Sequence, residues 1–389
     1  MDPTPHLERF DSYEQARREF RWLIPQHLNI ANTICRRHPD AVTRIALSDV
    51  KEGGINTYTF GGLDFLSDKF ATALSESGIS QGDSVAVLLP PSAALAIAHL
   101  GALKTGAVVV PLSMFSGAAL LEYALADSTA KALVVDESIY GTFEAVTRNL
   151  PNLASRFVVR DLRPNATSVD FKDFWSEVDR ASSDFDAVET DSNSAAFILY
   201  VESKNEITGI VHSHRSVIGQ LAAFEMFNDV QSGADSVFWT ADDWSSPAAV
   251  LGVLYPAWWY GCSLVAGAAE SDAGVQSVRL NEVYCRPETG WIFGSCERWF
   301  ETPAGSVGRP VPGRSIEIID QNGNVLPPGQ AGHIAVHKSD PALFTEYHGS
   351  AARTAASFIG DWFLTGDAGY KNGDGDFYIP PSPSVVGTD

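Results

Sequence analysis

The sequence is short of the residues that would staple, anchor or electrostatically tether it. Its 389 residues include four cysteines, Cys35, Cys262, Cys285 and Cys296, with no C-x-x-C spacing. Neither a zinc site nor a disulfide framework is indicated, and a reducing compartment fits. Basic residues are outnumbered, 27 Lys and Arg against 48 Asp and Glu for a net charge of −21, and they form no block. That balance argues against sequence-independent binding to nucleic acid or to an anionic membrane. No apolar run reaches bilayer length, since the longest, from Val85 to Leu112, is interrupted by Pro90-Pro91, His99 and Lys104. The N-terminus, MDPTPHLERFDSYEQARREF, mixes charges of both signs and lacks the apolar centre of a secretory signal. Together these absences predict a cytoplasmic protein with no membrane span and no nucleic-acid partner.

What is present is a globular composition, 45% apolar, enough for a large core. Helical spacing of Leu63, Leu66, Phe70 and Leu74 ends at Gly78, and Gly82-Asp83 turns the chain into a strand over 84–89. A helix over 92–105, a strand at 107–110, a helix over 117–127 and a strand at 132–135 follow. A second alternating run comprises strand 196–200, helix 214–228, strand 236–240, helix 247–260 and strand 263–266. Such alternation predicts parallel strands joined by crossover helices. Further on, strands at 315–320 and 332–337 flank the turn Gln321-Asn322-Gly323-Asn324, an antiparallel signal. The predicted fold class is α/β, with two parallel-sheet βαβ subdomains over 1–190 and 191–310 and a smaller β-rich, barrel-like subdomain over 311–389.

The chemistry-bearing stretch is 200–215, YVESKNEITGIVHSHR. A loop that cradles polyphosphate needs inward backbone N–H groups, hydroxyls and glycines that let the backbone approach. Here Glu202, Ser203, Lys204, Asn205 and Glu206 fill the connection, and Gly209 is the glycine that remains. Like charges a few ångströms apart repel by roughly 1 to 4 kcal/mol at surface-like dielectric. Lys204 is a point charge for phosphate, but it is flanked by both acids. On its own the stretch also reads as a solvated turn.

The flanks, Ala196 to Tyr200 and Gly209 to Arg215, resemble the phosphate-loop signature of the adenylate-forming superfamily, the acyl-CoA synthetases and their relatives. The resemblance extends through GDSVAVLLPPS, HLGALKTGAVVVPLS, WTADDWSSPAAVLGVLYPAWWYGCSLVAGA, NEVYCRPETG, GSVGRPVPG and GDWFLTGDAGY. It implies ATP or AMP with Mg²⁺ and CoA as cofactors, and a small-molecule carboxylate or acyl thioester as substrate. By the same resemblance Tyr284 stacks on adenine, Asp367 takes the ribose hydroxyls, Gly209 belongs to the nucleotide loop and Glu288 is the Mg²⁺ ligand. His212 and His214 neighbour the acyl site, and Trp239 and Trp244 line its apolar pocket. Bland alternatives stand beside each: a strand-end tyrosine, histidines bonded to backbone, and Trp258 and Trp259 packed against the sheet.

The sequence departs from the family pattern in four places. The Ser/Thr/Gly run of the phosphate loop is gone. Cys285, Arg286 and Pro287 stand where Gly, Gln and Thr are expected, and Arg286 can instead neutralise a carboxylate or phosphate. A short polar segment, 268–280, replaces several βα units. Pro380-Pro381-Ser382-Pro383 stands where a hinge arginine is expected, and the family's C-terminal lid domain with its lysine has no counterpart. No catalytic residue is assigned. Three readings stay open: an acyl-CoA synthetase-like protein with impaired adenylation, a working acid:thiol ligase, and a non-catalytic scaffold with a protein partner.

Overall fold

A computed structural model describes residues 2–139, 150, 152–160, 171–203, 206–230, 235–267 and 281–380. Its N-terminal half holds a hairpin, β1 (Ile45–Lys51) and β2 (Gly54–Thr59). Five strands follow, β3 (Ser84–Leu88), β4 (Val108–Pro111), β5 (Ala132–Asp136), β6 (Ser155–Val159) and β7 (Lys172–Asp173). Next come β8 (Ala195–Ser203), β9 (Glu206–Ser213), β10 (Val237–Phe238) and β11 (Ser263–Ala266). The remainder is mainly strand: β12 (Val283–Arg286), β13 (Gly290–Gly294), β14 (Arg309–Pro310), β15 (Ile316–Ile319), β16 (Gly332–His337), β17 (Glu346–Tyr347), β18 (Phe358–Ile359), β19 (Trp362–Lys371) and β20 (Phe377–Tyr378).

Strands β3 to β7 are parallel, as the alternation predicts for the first three, and lie in an eight-stranded sheet of order β17-β9-β8-β4-β3-β5-β6-β7. A four-stranded sheet, β10-β11-β1-β2, faces it across a shared core. The C-terminal part forms a three-stranded antiparallel sheet, β12-β13-β14, and a curled antiparallel sheet, β15-β16-β19-β18 with β20 on β19. The α/β class with a smaller β-rich unit therefore holds.

Sheet membership does not follow the chain order expected from the sequence. Strand β8, read as the start of the second unit, lies beside β4 in the large sheet, while β1 from the N-terminal region pairs in parallel with β11. The reason is the helix Ala93–Lys104, in which every residue is buried. A helix apolar all round must be wrapped on all sides. Its neighbours in one core include Leu47 and Leu264 of the small sheet and Val85, Val109 and Phe197 of the large one. Lys104 ends that helix fully buried, with its Nζ 2.6 Å from both Asp64 Oδ1 and Asp68 Oδ1, so its charge is matched.

The N-terminal residues are part of the body. Leu7, Phe10, Tyr13 and Phe20 pack on Ala222, Ala223 and Met226 of the helix Arg215–Phe227. The Glu225 carboxylate accepts from the backbone N–H of His6 at 3.0 Å, from that of Leu7 and from the Tyr260 hydroxyl. None of the four cysteines is in a disulfide. Among the described residues, no helix is long and apolar enough to cross a membrane.

Candidate functional site

The phosphate-loop region is a β-ladder. Strands β8 and β9 pair antiparallel from Ala195↔Ser213 through Tyr200↔Gly209, Val201↔Thr208 and Glu202↔Ile207 to Ser203↔Glu206. Lys204 and Asn205 lie outside the described residues. Successive N–H groups of an extended strand point to opposite sides, so they do not converge on one anion as a nest does. β-propensity favours this closure, since Val201, Ile207, Thr208, Ile210 and Val211 are β-branched.

Of the two acids, Glu202 is exposed and has no ion-pair partner among the described residues, whereas Glu206 is paired. Arg353 Nη1 donates to Glu206 Oε1 at 2.5 Å and to Thr208 Oγ1 at 2.9 Å, and its guanidinium lies 4.5 Å from the Tyr347 ring centroid. Of the two acids expected to face an incoming polyanion, Glu206 is therefore matched by a cation. Being largely exposed, the pair itself contributes little to stability, about 0 to 1 kcal/mol.

Gly209 is buried in the ladder and held by packing. An added Cβ would lie 3.0 Å from Tyr200 Cε1 and 3.1 Å from His348 Cβ and Ile198 Cγ2. Its carbonyl accepts from His348 N–H at 2.8 Å, which locks β17 and the residue after it onto β9. Gly209→Ala is expected to lower stability by about 1 to 3 kcal/mol through overpacking. Denaturant unfolding checks this; an unchanged midpoint would mean that the neighbours give way freely.

The strongest cluster forms where β12 meets β19. Tyr284 stacks on its cross-strand partner Phe293, with ring centroids 4.5 Å apart and planes parallel. Its hydroxyl donates to Asp367 Oδ2 at 2.5 Å. Arg286 donates from Nε (3.0 Å) and Nη2 (2.9 Å) to the Thr365 carbonyl, and its Nε lies 3.7 Å from the same Asp367 oxygen. Gly366, with φ +87°, makes the turn that brings Thr365 and Asp367 to this spot, and a Cβ there would sit 3.3 Å from Arg286 Nη2. Burial, and secondarily the Asp367 contact, push the Tyr284 phenol well above its usual range. Tyr284 and Asp367 are therefore together, with one Asp367 oxygen already engaged by the protein.

Glu288 stands two residues beyond Arg286. Its Oε1 accepts from Tyr347 OH at 2.8 Å, and its carbonyl accepts from Phe344 N–H at 2.8 Å. Tyr347 in turn pairs with Ile210 of β9, so the turn after β12 and the hairpin are connected through β17. The turn is fixed from behind. Gln220 Nε2 and Arg314 Nη2 donate to the Thr289 carbonyl at 2.9 and 3.0 Å, and Arg314 Nε pairs with Asp340 at 2.6 Å. Among the described residues, no three His, Cys, Asp or Glu side chains are grouped to hold a metal ion.

The two histidines are neutral and fully enclosed. His212 Nε2 lies 2.8 Å from the Pro287 carbonyl, so Nε2 carries the proton, and Nδ1 has no partner among the described residues. His214 Nδ1 accepts from Ile30 N–H at 3.3 Å, which puts its proton on Nε2, likewise without a partner among the described residues. Burial holds both pKa values down to about 4. His212 thus backs the Arg286–Glu288 turn while His214 faces the N-terminal helix Ile30–Arg36.

Of the tryptophans, Trp244 is 2% exposed within the main core, and Trp239 is 49% exposed just past β10. Trp258 and Trp259 are buried, with indole N–H groups donating to Ala46 O and Thr4 Oγ1 at 3.0 Å. Two clefts, of about 410 and 300 Å³, lie around Tyr13, Arg17 and Lys371 and around Arg37, His38 and Trp259; neither includes a candidate residue. Sequence reasoning missed Tyr347 and Arg353. No local signal marks them, because their partners are 59 and 147 residues away.

Comparison with known proteins places these features in context. The family described as AMP-binding enzyme matches over residues 32–277. Human mitochondrial acyl-coenzyme A synthetase ACSM3 is 25% identical over 450 residues, covering 97% of this chain and 75% of its own. An uncharacterized acyl-CoA ligase, YtcI of Bacillus subtilis, is 25% identical over 418 residues, covering 92% and 77%. Both alignments are longer than the 389 residues of this chain, so the relatives carry segments inside the aligned region that it lacks. Among solved structures, a Brucella canis acyl-CoA synthetase superposes with TM-score 0.84 at 19% identity, covering 97% of this chain and 81% of its own. ATP-bound MatB from Rhodopseudomonas palustris gives 0.78 at 19% identity, covering 90% and 78%.

Proposed function

We propose, from the premise that this chain belongs to the AMP-binding enzyme family and is acyl-CoA synthetase-like, that its ATP-dependent adenylation is impaired and that it retains a ligand cleft of the acyl or nucleotide kind. The observation that carries this reading is the β8–β9 ladder, which runs to the Ser203↔Glu206 pair and leaves no convergent set of backbone donors among the described residues. A triphosphate does not fit such a surface. Glu202, with no ion-pair partner among the described residues, adds a like charge at that place, and Glu288, the expected Mg²⁺ ligand, is bonded to Tyr347. The ribose acceptor Asp367 is engaged by Tyr284 and faces Arg286. No reaction step through ATP, Mg²⁺ or CoA is therefore derived for this chain.

What supports retention of a cleft is the meeting of Tyr284 and Arg286 of β12 with Asp367 of β19, next to the Glu288 turn that buried Gln220 and Arg314 pin. A rigidly supported cluster of half-buried polar side chains is where a small ligand is recognised. Titration calorimetry with ATP and Mg²⁺, paired with pyrophosphate release over a panel of fatty and aryl carboxylates, tests the reading. The expected result is no saturable ATP binding at millimolar nucleotide and no pyrophosphate above background. Saturable binding with turnover would overturn it and identify a working acid:thiol ligase.

A further inference from the structure

The outer edge of the small sheet carries an inference independent of the cleft. Strand β2 pairs with β1 on one side, and among the described residues no strand pairs on the other. Gly54, Ile55, Asn56 and Thr57 are all exposed, Ile55 at 64%. Natural edge strands are normally blunted by charge, proline or a bulge. Between 54 and 59 the sequence GINTYT has no charge and no proline, and the one irregularity of the hairpin lies at its far end, between Ile45 and Leu47.

The direction of the free backbone groups follows from the register. Phe60 N–H donates to the Arg44 carbonyl, toward the β1 side. By strict alternation, Thr59, Thr57 and Ile55 turn their N–H and C=O groups away from β1 and into solvent. Their side chains lie on the sheet face opposite the core, with Ile55 beside Val50 and Thr57 beside Ser48.

We propose that β2 pairs antiparallel with β2 of a second copy of this chain, making a two-fold dimer with one continuous eight-stranded sheet. A two-fold axis normal to the sheet keeps both outer faces on one side, so a residue must oppose itself, and the free backbone groups place that residue at Thr57. Thr57 then faces Thr57 of the partner copy and Ile55 faces Thr59, which pairs all six free backbone donors and acceptors on each strand. Threonine–threonine and β-branched cross-strand pairs are favourable. Beyond the strand ends, the hairpin turn that carries Glu52 of one copy comes beside the start of the helix Phe60–Glu76 of the other. The first turn of that helix has no acid of its own, and its dipole is positive there. The whole-chain repulsion of two acidic copies is screened beyond about 8 Å at physiological salt. One short ladder buries less than the roughly 1,200 Å² of a stable interface, so the dimer is weak.

Sedimentation velocity over about 1 to 200 µM checks this. The expected result is a monomer–dimer equilibrium whose midpoint moves at least tenfold upward in Thr57→Pro and in Thr57→Lys. The proline deletes a donor that β1 does not use, so the hairpin stays folded; the lysine sets two like charges face to face. Should the proline variant fail to fold, the lysine variant carries the test alone. A wild-type protein that stays monomeric throughout, or a dimer that both variants leave intact, overturns the proposal.

Discussion

Exchanging residues 202–206 for a family-type Ser/Thr/Gly run, one residue longer, is expected to raise the affinity for MgATP by about tenfold or more. Two separate contributions add. Glycines and the added residue open the ladder beyond Tyr200↔Gly209, which frees N–H groups to turn inward. Removal of Glu202 relieves like-charge repulsion of roughly 1 to 4 kcal/mol at close range, and 1.4 kcal/mol is already tenfold. Arg353, released from Glu206, becomes an additional cation beside the opened loop. Calorimetry on the exchanged and parent proteins measures the gain. No gain in binding would show that the hairpin is not what keeps ATP out, and attention would move to Arg286 and Asp367.

Acidification is expected to weaken the fold, with a sign set by three enclosed histidines. His99, His212 and His214 are buried, with pKa values held down to about 3, 4 and 4. Each has a ring nitrogen without a partner among the described residues. A histidine depressed in the folded state contributes stability that is whole above its unfolded value, near 6.5, and is lost as pH falls toward the folded value. At pH 5 each loses about 2 kcal/mol, or about 6 kcal/mol together. Glu225 works in the opposite direction. Burial raises it to about 7, against the three hydrogen bonds that lower it, so the folded state gains about 2 kcal/mol as it protonates between pH 7 and 5. The net loss is about 4 kcal/mol, and Glu225→Gln should steepen it. Urea unfolding followed by tryptophan fluorescence at the two pH values measures this, and a stability that is flat or higher at pH 5 would refute the assignment of three neutral buried imidazoles.

Much of the architecture is legible in the sequence because it is set by local periodicity. The apolar runs at 84–89 and 107–110 can only be buried strands, and they form β3 and β4 as written. Chain order is a poorer guide to sheet membership. Nothing near Ile45 or Ala195 announces that β1 will pair with β11 or β8 with β4, since those pairings are chosen by the helix Ala93–Lys104 and its need for cover on every side. At the candidate site, composition shows that the glycine and hydroxyl run is missing, but not that the ends of the gap zip into strands. That outcome depends on β17, more than a hundred residues later, bracing β9. Arg286 is legible as a partner for a carboxylate, yet its two bonds to the Thr365 carbonyl depend on the backbone turn at Gly366.

The clamp made by the first residues limits how the chain can be trimmed. The family match starts at residue 32, and a boundary drawn from it would discard Leu7, Phe10, Tyr13 and Phe20 together with the two N–H donors to Glu225. One flank of the helix Arg215–Phe227 would then be stripped to bare alanine and methionine around a carboxylate short of donors. Such a fragment would carry nearly every recognisable motif up to residue 277 and still precipitate, so a failed expression trial at that boundary would say nothing about the protein's competence.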